Sequence, residues 1–254
     1  MIDALYISAT GLRSQQEQID VISNNVANMQ TPGFKKSRVN FAEISGVHGE
    51  AQNTTNPQFS GGGTRIMSTM SIFSAGEMRL TQNVTDIAIE GNGFFELENA
   101  DGEKLYTRAG QFRIDQEGYL VSVNGMRLAQ GIQIPPDALD LRISQTGEVS
   151  ARLGNDSERS QIGAIELTTF ASSDALQTVG ENMFAATENS GAPGFGKPGD
   201  VGVGKLQQGY LEMANVDLID EMTNLVMAQR AYQLNARVLQ AADQILETIN
   251  NLRR

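Results

Sequence analysis

Gly199-Asp200-Val201-Gly202-Val203-Gly204-Lys205 fits the G-x-x-x-x-G-K core of a phosphate-binding loop. The next residue breaks the match. Leu206 stands where a Ser or Thr hydroxyl should hold Mg²⁺, and Gly196, Lys197 and Pro198 upstream cannot be the buried strand the motif needs. Glu96 and Glu98 are a second candidate, because two carboxylates on one strand face suggest glycosidase chemistry. Their alternation with Phe95 and Leu97 instead predicts the solvated face of a half-buried strand. Gly91-Asn92-Gly93 lacks the third glycine of a dinucleotide fingerprint and reads as a tight turn before Phe94 and Phe95. The single histidine, His48, lies in the polar stretch 45–60 and is read as a solvated loop residue; alone it cannot build a His-based metal site or a Ser/His/Asp triad. No catalytic, cofactor-binding or metal-binding residue is assigned, and the chain is expected not to be an enzyme.

Composition narrows the partners. With 19 Lys+Arg against 30 Asp+Glu the formal charge is −11, which repels nucleic acid and anionic membrane surfaces. Cysteine is absent, so disulfides and thiolate chemistry are closed. No segment approaches the roughly 18 continuous apolar residues of a membrane span. Met1-Ile2-Asp3-Ala4-Leu5-Tyr6 has neither a basic region nor an unbroken apolar run, so it does not read as a secretory signal peptide, and if the protein leaves the cytoplasm it uses another route.

The elements that frame these residues are set out by glycine and proline. Neither occurs after Gly209, and Leu218, Leu225, Tyr232, Leu239 and Leu246 recur every seven residues, predicting one long helix. Ala228, Ala242 and Ile249 form a second seam, with Asn235 as its polar member and Glu221 as a weak start. At the other end Leu5, Leu12, Ile19 and Val26 are also seven apart, with Ile22 and Met29 at later positions of a companion seam and Gly11 as the only interruption. Thr31-Pro32-Gly33 should stop that helix near Gln30. Residues 35–85 read as a polar, irregular connector carrying Gly61-Gly62-Gly63. From Asp86, short alternating runs such as Ile87/Ile89, Phe95/Leu97 and Phe112/Ile114, cut by Glu117-Gly118 and Asn124-Gly125 turns, predict a β sandwich or partly open barrel. The expected fold class is α+β. Long N- and C-terminal helices (1–34 and 210–254) form a coiled-coil-like assembly domain, and a mostly-β domain (86–209) is inserted between them.

Two segments carry a resemblance to a known family. Ile22-Ser23-Asn24-Asn25-Val26-Ala27-Asn28-Met29-Gln30-Thr31-Pro32-Gly33-Phe34-Lys35 resembles the N-terminal signature of bacterial flagellar axial proteins, the rod and hook subunits. Gly209-Tyr210-Leu211-Glu212, Asn215-Val216-Asp217, Glu221-Met222-Thr223 and Ala228-Gln229-Arg230-Ala231-Tyr232 are similar to its C-terminal signature. Leu167-Thr168-Thr169-Phe170, Gly180-Glu181-Asn182 and Ser190-Gly191-Ala192-Pro193 look like distal rod subunits rather than the hook. Between Phe41 and Gly63 the wording departs from theirs and the connector is shorter, which keeps a proximal rod paralogue or a second flagellar system open.

The resemblance implies a subunit exported unfolded through the flagellar secretion channel, which polymerises into a tube with the terminal helices as its inner wall. That tube turns as a drive shaft in the periplasm-spanning part of the basal body. Its implied partners are further copies of itself, proximal rod and hook-side axial proteins, the surrounding rings and the export apparatus. Leu5, Leu12, Ile19, Val26, Leu218, Leu225, Tyr232, Leu239 and Leu246 are the expected assembly interface. Asn24, Asn25 and Asn28 set register or serve only as capping and turn residues. A hook subunit is the alternative of the same class, and a periplasmic glycan-processing enzyme the alternative of another.

Overall fold

A computed structural model of the chain describes residues 2–47, 59–99, 102–154 and 158–252, so His48 lies outside the described residues. The fold is α+β, and the chain divides into two compact units. Residues 1–27, 37–70 and 217–254 make the first; residues 28–36 and 71–216 make the second.

The first unit is built on helix α1 (Ile2–Ala27) and helix α2 (Leu218–Leu252). Within the stretch expected as a connector, β1 (Ser37–Val47) and β2 (Phe59–Ser71) form a two-stranded sheet. α1 packs against both α2 and β1. The Thr64 N–H donates to Thr10 Oγ1 at 3.4 Å, joining β2 to α1.

Both helices are shorter than the unbroken apolar patterns suggest. α1 stops at Ala27 because the chain turns: the Thr31 N–H donates to the Asn28 carbonyl at 2.9 Å, and Pro32 cannot continue a helix. The predicted C-terminal helix loses its first residues to β structure, since Tyr210–Glu212 pairs with Met78–Leu80. Asn215 then holds the chain extended: its side chain accepts from the Lys36 N–H at 2.8 Å and donates to the Ile72 carbonyl at 2.7 Å. Asp217 supplies the N-cap, accepting from the Ile219 and Asp220 N–H groups at 2.8 and 3.3 Å. Asp220 and Glu221 in the first turn also suit the positive end of the helix dipole.

The second unit contains β3 (Met78–Leu80), β4 (Ile87–Glu90), β5 (Phe95–Glu98), β6 (Lys104–Thr107), β7 (Phe112–Ile114), β8 (Leu120–Ser122) and β9 (Arg127–Leu128). It continues through β10 (Arg142–Ile143), β11 (Glu148–Arg152), β12 (Arg159–Ala164), β13 (Leu167–Thr169), β14 (Gln177–Gly180), β15 (Met183–Ala185), β16 (Gly194–Gly196), β17 (Lys205–Gln208) and β18 (Tyr210–Glu212). One antiparallel seven-stranded sheet, ordered β14-β15-β6-β5-β9-β8-β7, dominates. Smaller sheets β10-β11-β12, β13-β16, β17-β4 and β18-β3 accompany it.

The main core gathers Ile87, Ile89, Phe95, Leu97, Leu120 and Leu167, all essentially without exposure. A second apolar cluster of Phe94, Tyr106, Leu176 and Phe184, with Phe73 and Phe170 against it, is built on edge-to-face ring contacts. That second cluster corrects the reading of Glu96 as a solvated residue. Tyr106 and Phe94 lie beside it on the covered side of β5, so Glu96 is 2% exposed and only Glu98 is exposed. Glu96 is paired with Lys104 at 2.7 Å and accepts from Thr168 Oγ1 at 3.2 Å, which satisfies the buried carboxylate.

Asp217→Ala should remove the cap and cost the α2 terminus about 1 kcal/mol. Amide exchange of residues 219–222 should quicken roughly fivefold while the strands of the second unit are unaffected. Unchanged exchange would mean the cap contributes nothing.

Candidate functional site

Two polar anchors place α1 against α2. Asn25 is buried, and its carboxamide accepts from the Ser37 N–H at 2.9 Å, donates to the Ser37 carbonyl at 2.9 Å and reaches Glu221 Oε2 at 3.3 Å. One side chain thus joins the end of α1, the start of β1 and the first turn of α2. Further along, a Cβ added at Gly11 would lie 2.9 Å from Asn235 Nδ2, so the Asn235 carboxamide packs directly against Gly11. From Asn25 to Gly11 is 14 residues backward, and from Glu221 to Asn235 is 14 forward. The helices therefore run antiparallel, with two seven-residue repeats between the anchors.

The seam they share is short of hydrocarbon. On α1 the fully buried residues are Ser8, Gly11, Ser14, Ile22 and Asn25; on α2 they are Glu221 and Ala228. Leu5, Leu12, Ile19 and Val26 are only half-buried, one residue beyond or flanking that seam. Leu225, Leu239 and Leu246 are half-buried, Tyr232 is 37% exposed and Leu218 is 42% exposed. Asn28 is half-buried and accepts from Thr31 Oγ1 at 3.2 Å, while Asn24 is exposed. Sequence reasoning missed a second stripe on α2, where Met227, Leu234, Val238 and Ile245 are each at least half exposed. Its signal was present, since 227 and 234, and 238 and 245, are also seven apart.

The second unit holds a charged cluster that the sequence reading also missed. Glu212, on β18, is 1% exposed and accepts from Lys35 Nζ at 2.6 Å, the Gly76 N–H at 2.9 Å and an Arg108 Nη at 3.4 Å. Lys35 also donates to the Ser74 carbonyl at 2.7 Å; Arg108 also donates to the Gly91 carbonyl at 2.8 Å and stacks over Phe94. The Gly33 N–H donates to the Glu212 carbonyl at 2.8 Å, and Gly33 has a φ of 73° with a hypothetical Cβ 2.4 Å from the Ala109 nitrogen. No residue but glycine fits there. Burial pushes the Lys35 ammonium below the usual lysine value while Glu212 pulls it back, and Arg108 is shifted the same way for the same reasons. Lys35 and Glu212 were visible only as letters of two separate signatures, 177 positions apart.

The enzymatic decoys have structural explanations. Residues 199–204 form a turn in which the Gly199 N–H donates to the Gly204 carbonyl at 2.9 Å, and Lys205 opens strand β17 rather than a helix. Among the described residues no group of His, Asp and Glu is arranged to hold a metal, and no helix is long and apolar enough to cross a membrane.

An α+β chain with two long, mutually packed terminal helices and a strand-rich unit between them in sequence has the build of a structural subunit. Family descriptions match it in three places: "Flagella basal body rod protein" over residues 5–35, "Flagellar hook protein FlgE/F/G D1 domain" over 88–151, and "Flagellar basal body rod FlgEFG protein C-terminal" over 207–252. Flagellar basal-body rod protein FlgG of Agrobacterium fabrum is 39% identical over 256 residues, spanning 97% of this chain and 98% of the relative. FlgG of Borreliella burgdorferi is 39% identical over 264 residues, and FlgG of Bacillus subtilis 37% over 266, each spanning 100% of both chains. The chain belongs to the flagellar basal-body rod protein family, a family of structural proteins and not of enzymes.

Removing one member of a buried ion cluster strands the others, so Glu212→Ala should cost about 3 to 5 kcal/mol. Lys35→Met leaves Arg108 and Glu212 as a neutral pair and should cost clearly less. Thermal unfolding followed by far-ultraviolet circular dichroism measures both, and equal losses would show that charge balance is not what the cluster supplies.

Proposed function

We propose that this protein is the subunit of the distal rod, polymerising into a helical tube that transmits motor torque to the hook and encloses the export channel. The observation that carries this reading is the full-length likeness to FlgG chains, which spans both terminal helices and the strand-rich unit alike. In this reading the terminal helices form a coiled-coil-like assembly domain, and the strand-rich unit faces other components of the basal body. The seven-residue spacing and the 14-residue interval between anchors support it. The partners are further copies of the chain, the proximal rod on one side, hook-side axial proteins on the other, and the rings around them. Export through the flagellar secretion channel delivers the subunit.

The physical logic of the assembly is that the shared seam of α1 and α2 is poor in apolar burial. Ser8, Gly11, Ser14, Asn25 and Glu221 give specificity of register and little hydrophobic gain. The helices gain further apolar burial when neighbouring subunits cover what remains exposed, which keeps polymerisation confined to the growing end.

Electron micrographs of cells lacking the protein should show basal bodies that end at the proximal rod; a complete rod lacking only the hook would move the subunit outward. Leu225→Asp and Leu239→Asp should abolish rod growth and swimming while the strand-rich unit keeps its melting transition, and Gln244→Ala should swim. Normal swimming by both aspartate variants would remove the helices from the centre of assembly.

A further inference from the structure

The chain contains two Asn-Gly pairs, Asn92-Gly93 and Asn124-Gly125. An asparagine before glycine can react with its own main chain: the nitrogen of the next residue attacks the side-chain Cγ, and glycine, lacking a Cβ, leaves that approach open. Both asparagines are exposed, so access of water does not separate the two pairs. Their attacking nitrogens do. The Gly125 N–H donates to the Ser122 carbonyl at 2.9 Å, in a turn closed again by the Ser122 N–H on the Met126 carbonyl at 2.8 Å and by the Met126 N–H on Ser122 Oγ at 3.3 Å. Reaction at Asn124 must break the first of these bonds. At the other pair, among the described residues, the Gly93 N–H donates to no acceptor and the Asn92 carboxamide makes no hydrogen bond. The turn is held through other atoms: the Gly91 carbonyl accepts from Arg108 at 2.8 Å, the Asn92 carbonyl from the Gly204 N–H at 2.7 Å, and the Phe94 N–H donates to the Thr168 carbonyl at 2.8 Å. None of these bonds uses the two reacting atoms.

We propose that Asn92 is a site of spontaneous main-chain modification, where the folded chain converts asparagine to aspartate and isoaspartate. The Gly93 nitrogen gives its proton to solvent base and bonds to Asn92 Cγ; the Cγ–Nδ2 bond breaks, and that nitrogen leaves as ammonia. The product is a succinimide ring. Water then adds to one of the two ring carbonyls and releases it from the Gly93 nitrogen. Opening at Cγ leaves aspartate with the normal main chain, and opening at the former main-chain carbonyl leaves isoaspartate. No oxidant, cofactor or second protein takes part. Either product adds a negative charge. Isoaspartate also routes the main chain through the side chain, lengthening it by one carbon, and turns the carbonyl that receives the Gly204 N–H into a free carboxylate. The turn has little room for that. A Cβ added at Gly91 would lie 2.9 Å from Gly204 Cα, and one at Gly93 would lie 3.1 Å from Leu167 Cβ. The modification therefore loosens the passage from β4, which pairs with β17, to β5 in the seven-stranded sheet.

The test compares the two pairs within one molecule. The purified full-length chain would be aged in mildly alkaline buffer, folded in one series and denatured in another. Trypsin places the pairs on separate peptides, residues 80–104 and 114–127, and fragmentation in the mass spectrometer locates the modified residue. In denaturant both pairs should convert at similar rates, because their local chemistry is the same. In the folded chain Asn92 should convert about fivefold faster than Asn124, the factor expected when one reaction must first give up a hydrogen bond and the other need not. Isoaspartate would be counted independently by methyl transfer from labelled S-adenosylmethionine with isoaspartyl methyltransferase. Asn92→Gln, at an exposed side chain, should fold normally and lose most of that label. Equal rates in the folded chain, faster conversion at Asn124, or no conversion at Asn92 while the denatured chain reacts would each overturn the proposal. Label kept in full by Asn92→Gln would put the isoaspartate elsewhere and overturn it as well.

Discussion

The buried carboxylate of Glu212 sets where the chain enters and leaves its strand-rich unit. Its oxygens collect Lys35, Arg108 and the Gly76 amide, and its backbone carbonyl receives the Gly33 N–H. Lys35 lies eight residues after the last residue of α1, and Glu212 six before the first residue of α2. A cluster with two cations and one carboxylate, all shielded from water, is costly, and here the buried Arg108 Nε has no partner among the described residues. What it supplies is specificity more than stability, because it ties Lys35, Ser74, Gly76 and Arg108 to Glu212 from four separate parts of the chain.

The same choice recurs in the helical unit. Asn25 and Glu221 occupy positions where leucine would bury more surface, and Gly11 leaves room for the Asn235 carboxamide opposite it. Polar and small residues define one register between α1 and α2 and leave the apolar residues on the flanks. For a subunit of a polymer this division is sensible, because hydrocarbon buried inside the monomer cannot drive association.

The failures of the enzymatic motifs have a common physical origin. A phosphate loop works by aiming backbone N–H groups and a helix N-terminus at one point, and residues 199–205 turn into a strand instead. A catalytic carboxylate pair needs an open cleft, while Glu96 is enclosed, ion-paired and hydrogen-bonded beneath aromatic rings. Residue types at suggestive spacings carry chemistry only when their surroundings leave a reaction space.

The amino-acid sequence by itself determined the α+β class, the two terminal helices, the strand positions at Ile87, Phe95 and Phe112, and the turns at Gly118 and Gly125, because helix and strand periodicities and glycine turns are local properties. It also carried the family signatures. Only the tertiary structure decided that Tyr210–Glu212 is a strand and not the first turns of a helix, since the partner that claims it, Met78–Leu80, is 130 residues away in sequence. The burial of Glu96, the Lys35–Arg108–Glu212 cluster and the choice of Ser8, Gly11 and Asn25 over Leu5, Leu12 and Ile19 for the inner seam were decided there too. Each depends on which distant side chain fills the space opposite, and that is a property no local pattern of residues contains.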